Sequence, residues 1–363
     1  MASEDPKFSG VVFINDFLKI DDRAKKNYPN PNKIHGDWLY SLFSTFIRPF
    51  IKENAPFDGE DISNGLNRFS FYTDFKLPFD TSGWAFAYHR DEPFSKYLAD
   101  RLHQFDGKLL IGFELSPLLL NAIERAGLSY IDLGIHSIRF LPDYVFGVRT
   151  NVPLFQERIS SFIVPYDEII SHVAVSKGRS ARVCRNQVID PGSAIFLGQI
   201  SIDSSLISNH KMTSQKEILD LICELRASFP QIYYKFHPHC EKREEIEEQL
   251  TKNDVKVVDQ NIYDIFNNKN VNLFASFSSG SLTEANLFGC NTIRLSEAPS
   301  PYVVSFDGVP DHLRSKHYIP IQSTILRMEF WRYLLTGEEF VSSQAVFQSF
   351  EPMKFMLNQK WGR

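Results

Sequence analysis

The sequence predicts an α/β protein built in two halves. Three observations carry that reading: strand-like apolar runs alternate with segments of helical apolar spacing, the chain is 363 residues long, and its polar clusters fall where strand-like runs give way to loops. One ordinary core rarely serves a chain of that length, so two domains are expected.

The first half opens on the strand-like run Val11-Val12-Phe13-Ile14, and Trp38–Ile47 follows with helical apolar spacing. Leu109–Phe113 reads as a buried strand. Pro117 then suits the first turn of a helix over Leu118–Ala126, which stops at Gly127 before the strand Tyr130–Leu133. Strand, helix, strand in that order belongs to a parallel sheet. Residues 166–190 mix helical spacing near Ile169–Val175 with basic residues, and the domain connection is expected there, ending at Pro191-Gly192.

The second half is more sharply patterned. Ala194–Leu197 is a strand, and Ser214-Gln-Lys-Glu217 has the form of a capping box opening an amphipathic helix through Leu225. Ile232–Lys235 is a strand running into His237-Pro238, followed by a charged helix over Glu241–Leu250 and a strand at Val255–Val258. A short helix at Asn261–Phe266, a strand at Val271–Ala275 and a helix at Ser281–Phe288 ended by Gly289 come next, and Thr292–Leu295 closes the sheet. After Arg327 the chain turns helical, with Phe330, Trp331, Leu334 and Leu335 as the apolar face. The expected domains are therefore 1–165 and 191–325, joined by 166–190, with a helical segment at 326–363. The dinucleotide fingerprint G-x-G-x-x-G is absent. Two Rossmann-like domains facing a cleft, with a C-terminal helix free to cross back, describe a GT-B-like architecture better than a dehydrogenase.

Composition excludes several classes. Hydrophobic residues at 43% and charged residues at 23% are ordinary for a globular protein. A net charge of −5 offers no basic excess to displace counterions from nucleic acid, so no nucleic-acid partner is expected. No apolar run approaches the roughly 20 residues that cross a bilayer, and Met1-Ala-Ser-Glu-Asp-Pro lacks the regions of a signal peptide. Cys184, Cys223, Cys240 and Cys290 form no C-x-x-C pair and read as reduced cytosolic thiols. The 32 phenylalanines are expected mostly in the core, with apolar docking at a membrane as the other reading.

Three polar blocks lie in order in the second half: Gln199-Ile-Ser-Ile-Asp203-Ser-Ser205, Lys235-Phe-His237-Pro238, and Ser278-Ser279-Gly-Ser281-Leu-Thr-Glu284-Ala. Open α/β sheets bind ligands at such strand ends. The proline after His237 suits a helix start, which would set the imidazole beside amides that favour an anion. Lys235 points to the same side by the period of two. Ser278 and Ser279 enter a helix where hydroxyls and free amides can hold phosphate oxygens, and Glu284 could accept from ribose hydroxyls. Asp203 faces the mouth of the first strand as a nucleophile, or simply caps the Ser204-Ser205 turn. In the first half, Glu114 sits at a strand end as a candidate general base. His136, Arg139, Arg149 and Asn151 can hold sugar hydroxyls and carboxylates, with structural salt bridges and a capped strand as the alternative.

Together the three blocks resemble the bacterial retaining β-Kdo transferases of capsule and O-antigen (lipopolysaccharide) assembly, which use CMP-Kdo, Kdo being 3-deoxy-D-manno-oct-2-ulosonic acid. The resemblance covers about 90 residues well and the first half in architecture alone. The His-Pro and Ser-Ser features are shared with bacterial sialyltransferases and CDP-glycerol transferases, whereas the Asp203 block fits the retaining Kdo enzymes best. Phe236 departs from the pattern, where a smaller residue or proline is expected. The resemblance implies that Asp203 attacks C2 of Kdo as CMP leaves, and that the acceptor hydroxyl then displaces Asp203 with net retention. It implies that His237, Lys235, Ser278 and Ser279 stabilise charge on the departing phosphate, with Gln199, Ser205 and Ser281 in the same site, and that Glu284 binds ribose. No D-x-D pair stands out, and neither metal nor cofactor is expected. The implied partners are a CMP-sugar donor and a glycan or lipid-linked acceptor, in the cytoplasm or at the inner face of the bacterial inner membrane. A CMP-sialic-acid transferase, a CDP-glycerol-type phosphotransferase and a non-catalytic glycan- or nucleotide-binding domain are the alternatives.

Overall fold

The computed structural model describes residues 6–21, 31–183, 189–240 and 242–338. The strands are β1 (Gly10–Asn15), β2 (Glu53–Pro56), β3 (Lys108–Phe113), β4 (Ser129–Ile135), β5 (Phe146–Thr150), β6 (Ser193–Leu197), β7 (Ile207–Ser208), β8 (Lys211–Met212), β9 (Ile232–Lys235), β10 (Lys256–Val257), β11 (Val271–Ser276), β12 (Thr292–Arg294) and β13 (Ile319–Ile321). The helices are α1 (Pro31–Ile47), α2 (Arg68–Asp74), α3 (Thr81–Tyr88), α4 (Phe94–Leu102), α5 (Pro117–Arg125), α6 (Pro153–Ser160), α7 (Tyr166–Val183), α8 (Gln215–Arg226), α9 (Arg243–Lys252), α10 (Ile262–Phe266), α11 (Ser281–Leu287) and α12 (Met328–Thr336). None of the described helices is long and apolar enough to cross a membrane.

The described residues fall into two compact units, one drawn from Met1–His136, Asp143–Val164 and Pro301–Arg363 and the other from Ser137–Pro142 and Pro165–Ser300. The expected α/β class with two Rossmann-like units is met. In the first unit the sheet order is β13-β5-β4-β3-β1-β2, with β5 antiparallel to both its neighbours, β4 and β13, and the remaining pairs parallel. In the second the order is β10-β9-β6-β11-β12, parallel throughout.

Local sequence explains the elements that set the site. Ser116 caps α5 through the Leu119 amide, Pro117 occupies its first turn, and Gly127 takes the left-handed φ of +72° that ends it. Ser214 and Glu217 close a reciprocal capping box on α8. The parallel strands β3 and β6 are buried almost throughout, as runs covered on both faces must be.

Two boundaries differ from expectation. Residues 166–183 are not a connection but a helix of the second unit: Ile169 and Val173 are buried, and Ser180 donates to Asp264 of α10 at 2.6 Å. The rest of that expected connection, including Cys184, reaches the undescribed residues 184–188. The return to the first unit comes at Pro301 rather than 326, because β13 adds to the edge of the first sheet beside β5. Pro320 is tolerated there because an edge strand can spare an amide donor. The terminal helix does come back: Phe330, Trp331, Leu334 and Leu335 of α12 lie in the first unit's core, with Trp331 5.2 Å from Phe43. Residues 339–363 of the expected terminal segment lie outside the described residues.

Candidate functional site

In the second unit the chain runs from β6 to β9 and β10 on one side, then returns to β11 and β12 on the other. The strand order therefore reverses between β6 and β11, and the carboxyl ends of those two strands form the switch point where open sheets take ligands. Gln199 follows β6 and Ser278 follows β11. The Gln199 amide ties the two together. Its Nε2 donates to Ser205 Oγ at 2.9 Å and to Ser278 Oγ at 2.9 Å, while its Oε1 accepts from the Ser278 amide at 2.9 Å and from Ser276 Oγ at 3.3 Å. Ser278 Oγ and Ser205 Oγ are 3.0 Å apart. Three of the residues singled out in the sequence thus form one hydrogen-bonded cluster.

Asp203 stands at the edge of that cluster. It precedes a turn of 3-10 helix at Ser204–Leu206, and one carboxylate oxygen accepts from the Ser205 amide at 2.9 Å. The capping reading of Asp203 is thus fulfilled, and among the described residues its other oxygen has no hydrogen-bond donor. Ser279 Oγ accepts from the Ser281 amide at 3.3 Å, and Gly280, at the N-cap of α11, leaves that helix without a side-chain cap. Ser279 and Ser281 therefore shape the loop backbone.

The second block differs from expectation. His237-Pro238 does not start a helix: Pro238 and His239 form a turn, and α9 begins only at Arg243. His237 Nδ1 accepts from the His239 amide at 3.1 Å, so the turn rather than a helix end holds the imidazole. Lys235 is half-buried at the end of β9, its ammonium 3.2 Å from the Asp259 carbonyl, and burial lowers its pKa. Phe236 fits because its ring is core, 4.9 Å from Tyr234 and covered by Arg243.

Glu284 is not open to a ribose. Its carboxyl is buried, accepts from the Arg139 amide at 2.7 Å and the Tyr263 hydroxyl at 3.0 Å, and burial pushes its pKa up to about 7. It fastens residues 137–142 to α11. The Arg139 guanidinium is exposed, while its backbone makes that tie.

Arg294 is the residue that sequence reading missed. It ends β12, beside β11, and donates to the Ser278 carbonyl at 3.0 Å. Burial lowers its pKa, and no carboxylate pairs with it among the described residues. A half-buried guanidinium beside a serine loop is an electrostatic seat for an anion.

In the first unit the strand order reverses between β1 and β3. At their carboxyl ends lie Asn15, Asp16, Glu114 and Ser116. Asp16 is buried, accepts from Trp84 Nε1 at 3.3 Å and bonds Ser116, and burial raises its pKa to about 6. Glu114 is exposed, holds a left-handed φ of +49°, and accepts from the Tyr302 hydroxyl at 3.2 Å.

The other first-half candidates serve structure. His136 is buried with Nε2 3.1 Å from the Val303 carbonyl, and burial depresses its pKa to about 4. Arg149 spends its fork inside the unit, on Asp132 at 2.7 Å and on the carbonyls of Leu115 and Lys316. Asn151 bridges the edge of β4, accepting from the Tyr130 amide and donating to the Leu128 carbonyl. Exposure decides these roles, and no local pattern in the sequence encodes it.

No protein-family model matches the chain. No curated protein matches it in sequence. Among solved structures it is similar to the beta Kdo 2,7 transferase KpsC of Thermosulfurimonas dismutans, with 15% identity over 64% of this chain and 88% of that one, at a TM-score of 0.36. It is also similar to the UDP-GlcNAc 2-epimerases of Neisseria meningitidis (12% identity, 98% of this chain and 100% of that one, TM-score 0.27) and Methanocaldococcus jannaschii (13%, 88% and 96%, TM-score 0.27). Superpositions this loose carry no argument about activity, and the architecture stands on the chain's own two sheets.

Proposed function

We propose that the chain is a glycosyltransferase that moves Kdo from CMP-Kdo to a glycan or glycolipid acceptor with retention. The observation that carries this reading is the coincidence of the second unit's switch point with the Gln199–Ser205–Ser278 cluster, with Asp203 at its edge. The phosphate of CMP would sit against the Ser278-Ser279 loop, with Arg294 supplying positive charge that stays fixed through the reaction. Asp203 would attack the anomeric carbon, forming an ester-like adduct as CMP departs with the bonding pair, and the acceptor oxygen would then displace Asp203. Glu114 would take the acceptor's proton. A monophosphate leaving group carries less charge than a diphosphate, which favours side chains and amides over a metal in this role. His237 and Lys235, at the end of β9 next to β6, flank the same sheet edge.

The test is nucleotide choice. CMP is expected to raise the melting temperature more than UDP or GDP, since ligand bound only to the native state stabilises it. CMP-Kdo should release CMP faster than CMP-sialic acid does, and CDP-glycerol should react least. A larger shift with UDP or GDP would remove the cytidine assignment.

A further inference from the structure

Glu114 poses a physical question that its role as a base does not answer. A left-handed φ of +49° is uncommon outside glycine and is retained where the surroundings over-determine it. The surroundings here are a buried ion pair. The Glu114 amide donates to the Leu133 carbonyl at 2.8 Å, and the next residue is clamped at both ends. The Leu115 amide donates to Asp132 Oδ1 at 3.2 Å, and the Leu115 carbonyl accepts from Arg149 Nη2 at 2.9 Å. Asp132 and Arg149 are buried and bonded to each other, so the Leu115 backbone is gripped by both members of one pair.

The carboxylate is held separately. The Tyr302 hydroxyl donates to Glu114 Oε1 at 3.2 Å. The Tyr302 ring stacks on Tyr318 with centroids 4.8 Å apart, and the Tyr318 hydroxyl donates to Asp132 Oδ2 at 2.6 Å. The contacts close into a ring running from Glu114 through Leu115, Asp132, Tyr318 and Tyr302 back to Glu114. Two glycines make room for it. Gly134 and Gly147 pair across β4 and β5. A Cβ on Gly134 would stand 2.7 Å from the Tyr302 hydroxyl oxygen and 3.3 Å from Glu114 Cγ, and one on Gly147 would stand 2.8 Å from Tyr318 Cβ.

We infer that the Asp132–Arg149 pair and the Tyr302 hydroxyl are positioning groups for Glu114, the pair fixing its backbone and the phenol aiming its carboxylate. The inference rests on the reading of Glu114 as the base for the acceptor hydroxyl. Charged and titratable groups beside Glu114 include Asp132 on β4, Arg149 on β5, and Tyr302, His317 and Tyr318 beyond them, with His136 edge-on to Tyr302 and the buried Asp16 at the end of the neighbouring β1. Burial raises both tyrosine pKa values well above the usual range, so the phenols remain donors throughout the titration, and it lowers both histidines.

The test uses the full chain and the conservative variant Tyr302→Phe, which keeps the ring stack. Carboxyl carbons of labelled glutamate are titrated by NMR, with Glu114→Gln identifying the Glu114 signal. In Tyr302→Phe the Glu114 midpoint moves to higher pH, because the ionised form has lost a donor. Gly134→Ala, whose Cβ crowds the phenol at 2.7 Å and Glu114 Cγ at 3.3 Å without removing a polar group, moves it the same way. CMP release from CMP-Kdo with water as acceptor falls roughly ten-fold, the rate equivalent of one hydrogen bond to a charged group, and its acid limb moves with the midpoint. CMP affinity is unchanged. A midpoint that stays put in folded Tyr302→Phe and Gly134→Ala overturns the inference whatever the rate. A midpoint that moves while the pH–rate profile does not supports the positioning of Glu114 and removes it as the base.

Discussion

Glu284→Gln separates a buried structural carboxyl from a ribose ligand, and its effect follows from burial. The carboxyl's pKa is about 7 in the folded protein against an ordinary value of 4.5. Each pKa unit is worth 1.36 kcal/mol, so the gap corresponds to about 3 kcal/mol. Because the folded state holds the proton more tightly, this group's contribution to stability is greatest below pH 4.5 and falls as pH rises to about 7. Glutamine keeps an oxygen to accept from the Arg139 amide and the Tyr263 hydroxyl, yet does not titrate in that range. The variant's new amide donors cost about 1–3 kcal/mol if unpaired, an offset that does not depend on pH. The expected result is therefore a double difference: stability of the variant minus that of the wild type rises by about 3 kcal/mol between pH 4.5 and pH 8. Asp16, raised by burial toward 6, drops out because both proteins carry it. Urea unfolding of the second unit at the two pH values reads the quantity directly. A difference equal at both pH values, or a variant that loses CMP binding with its fold intact, would refute the structural account of Glu284.

Two further outcomes follow from the same contacts. Gln199→Ala leaves Ser205, Ser276 and Ser278 without their shared partner. It should cost about 1–2 kcal/mol of stability and abolish most of the CMP-dependent rise in melting temperature, and a full rise in the variant would separate the cluster from nucleotide binding. Arg149→Ala leaves Asp132 buried without its counter-ion, which should cost about 3–5 kcal/mol by chemical denaturation, and a loss under about 1 kcal/mol would contradict the clamp.

The sequence was legible where local chemistry decides the structure. Ile232–Lys235 is a strand with the predicted bounds, the Ser214–Glu217 box caps α8, and α12 buries the four apolar residues that its spacing picked out. Legibility failed where the partner is distant. β13 is three residues long and joins β5 about 170 residues away, so nothing near Ile319 announces that the chain has returned. The helices α2 and α3 pass unnoticed because rings at Phe71, Tyr72 and Trp84 are buried in short helices without one clean apolar stripe, whereas α4 buries a regular stripe at Phe94, Leu98 and Leu102. Gln199, Ser205 and Ser278 were singled out as polar side chains at strand ends, and the structure bonds them to one another. His136, Arg149 and Asn151 look the same in sequence whether they face solvent or are satisfied inside. Arg294 was hidden for the opposite reason, as a strand residue whose side chain happens to reach the Ser278 loop.

The central claim is that Asp203 is a nucleophile, and intact-mass measurement after mixing with CMP-Kdo tests it most directly. The account predicts a covalent increment of one Kdo residue, mapping to the peptide around Ile200–Ile207 and absent from Asp203→Asn. That variant should keep the fold, because its amide oxygen still accepts from the Ser205 amide, which Asp203 now holds at 2.9 Å. An Asp203→Asn protein that still turns over, or one whose product inverts the donor's anomeric configuration, would contradict it.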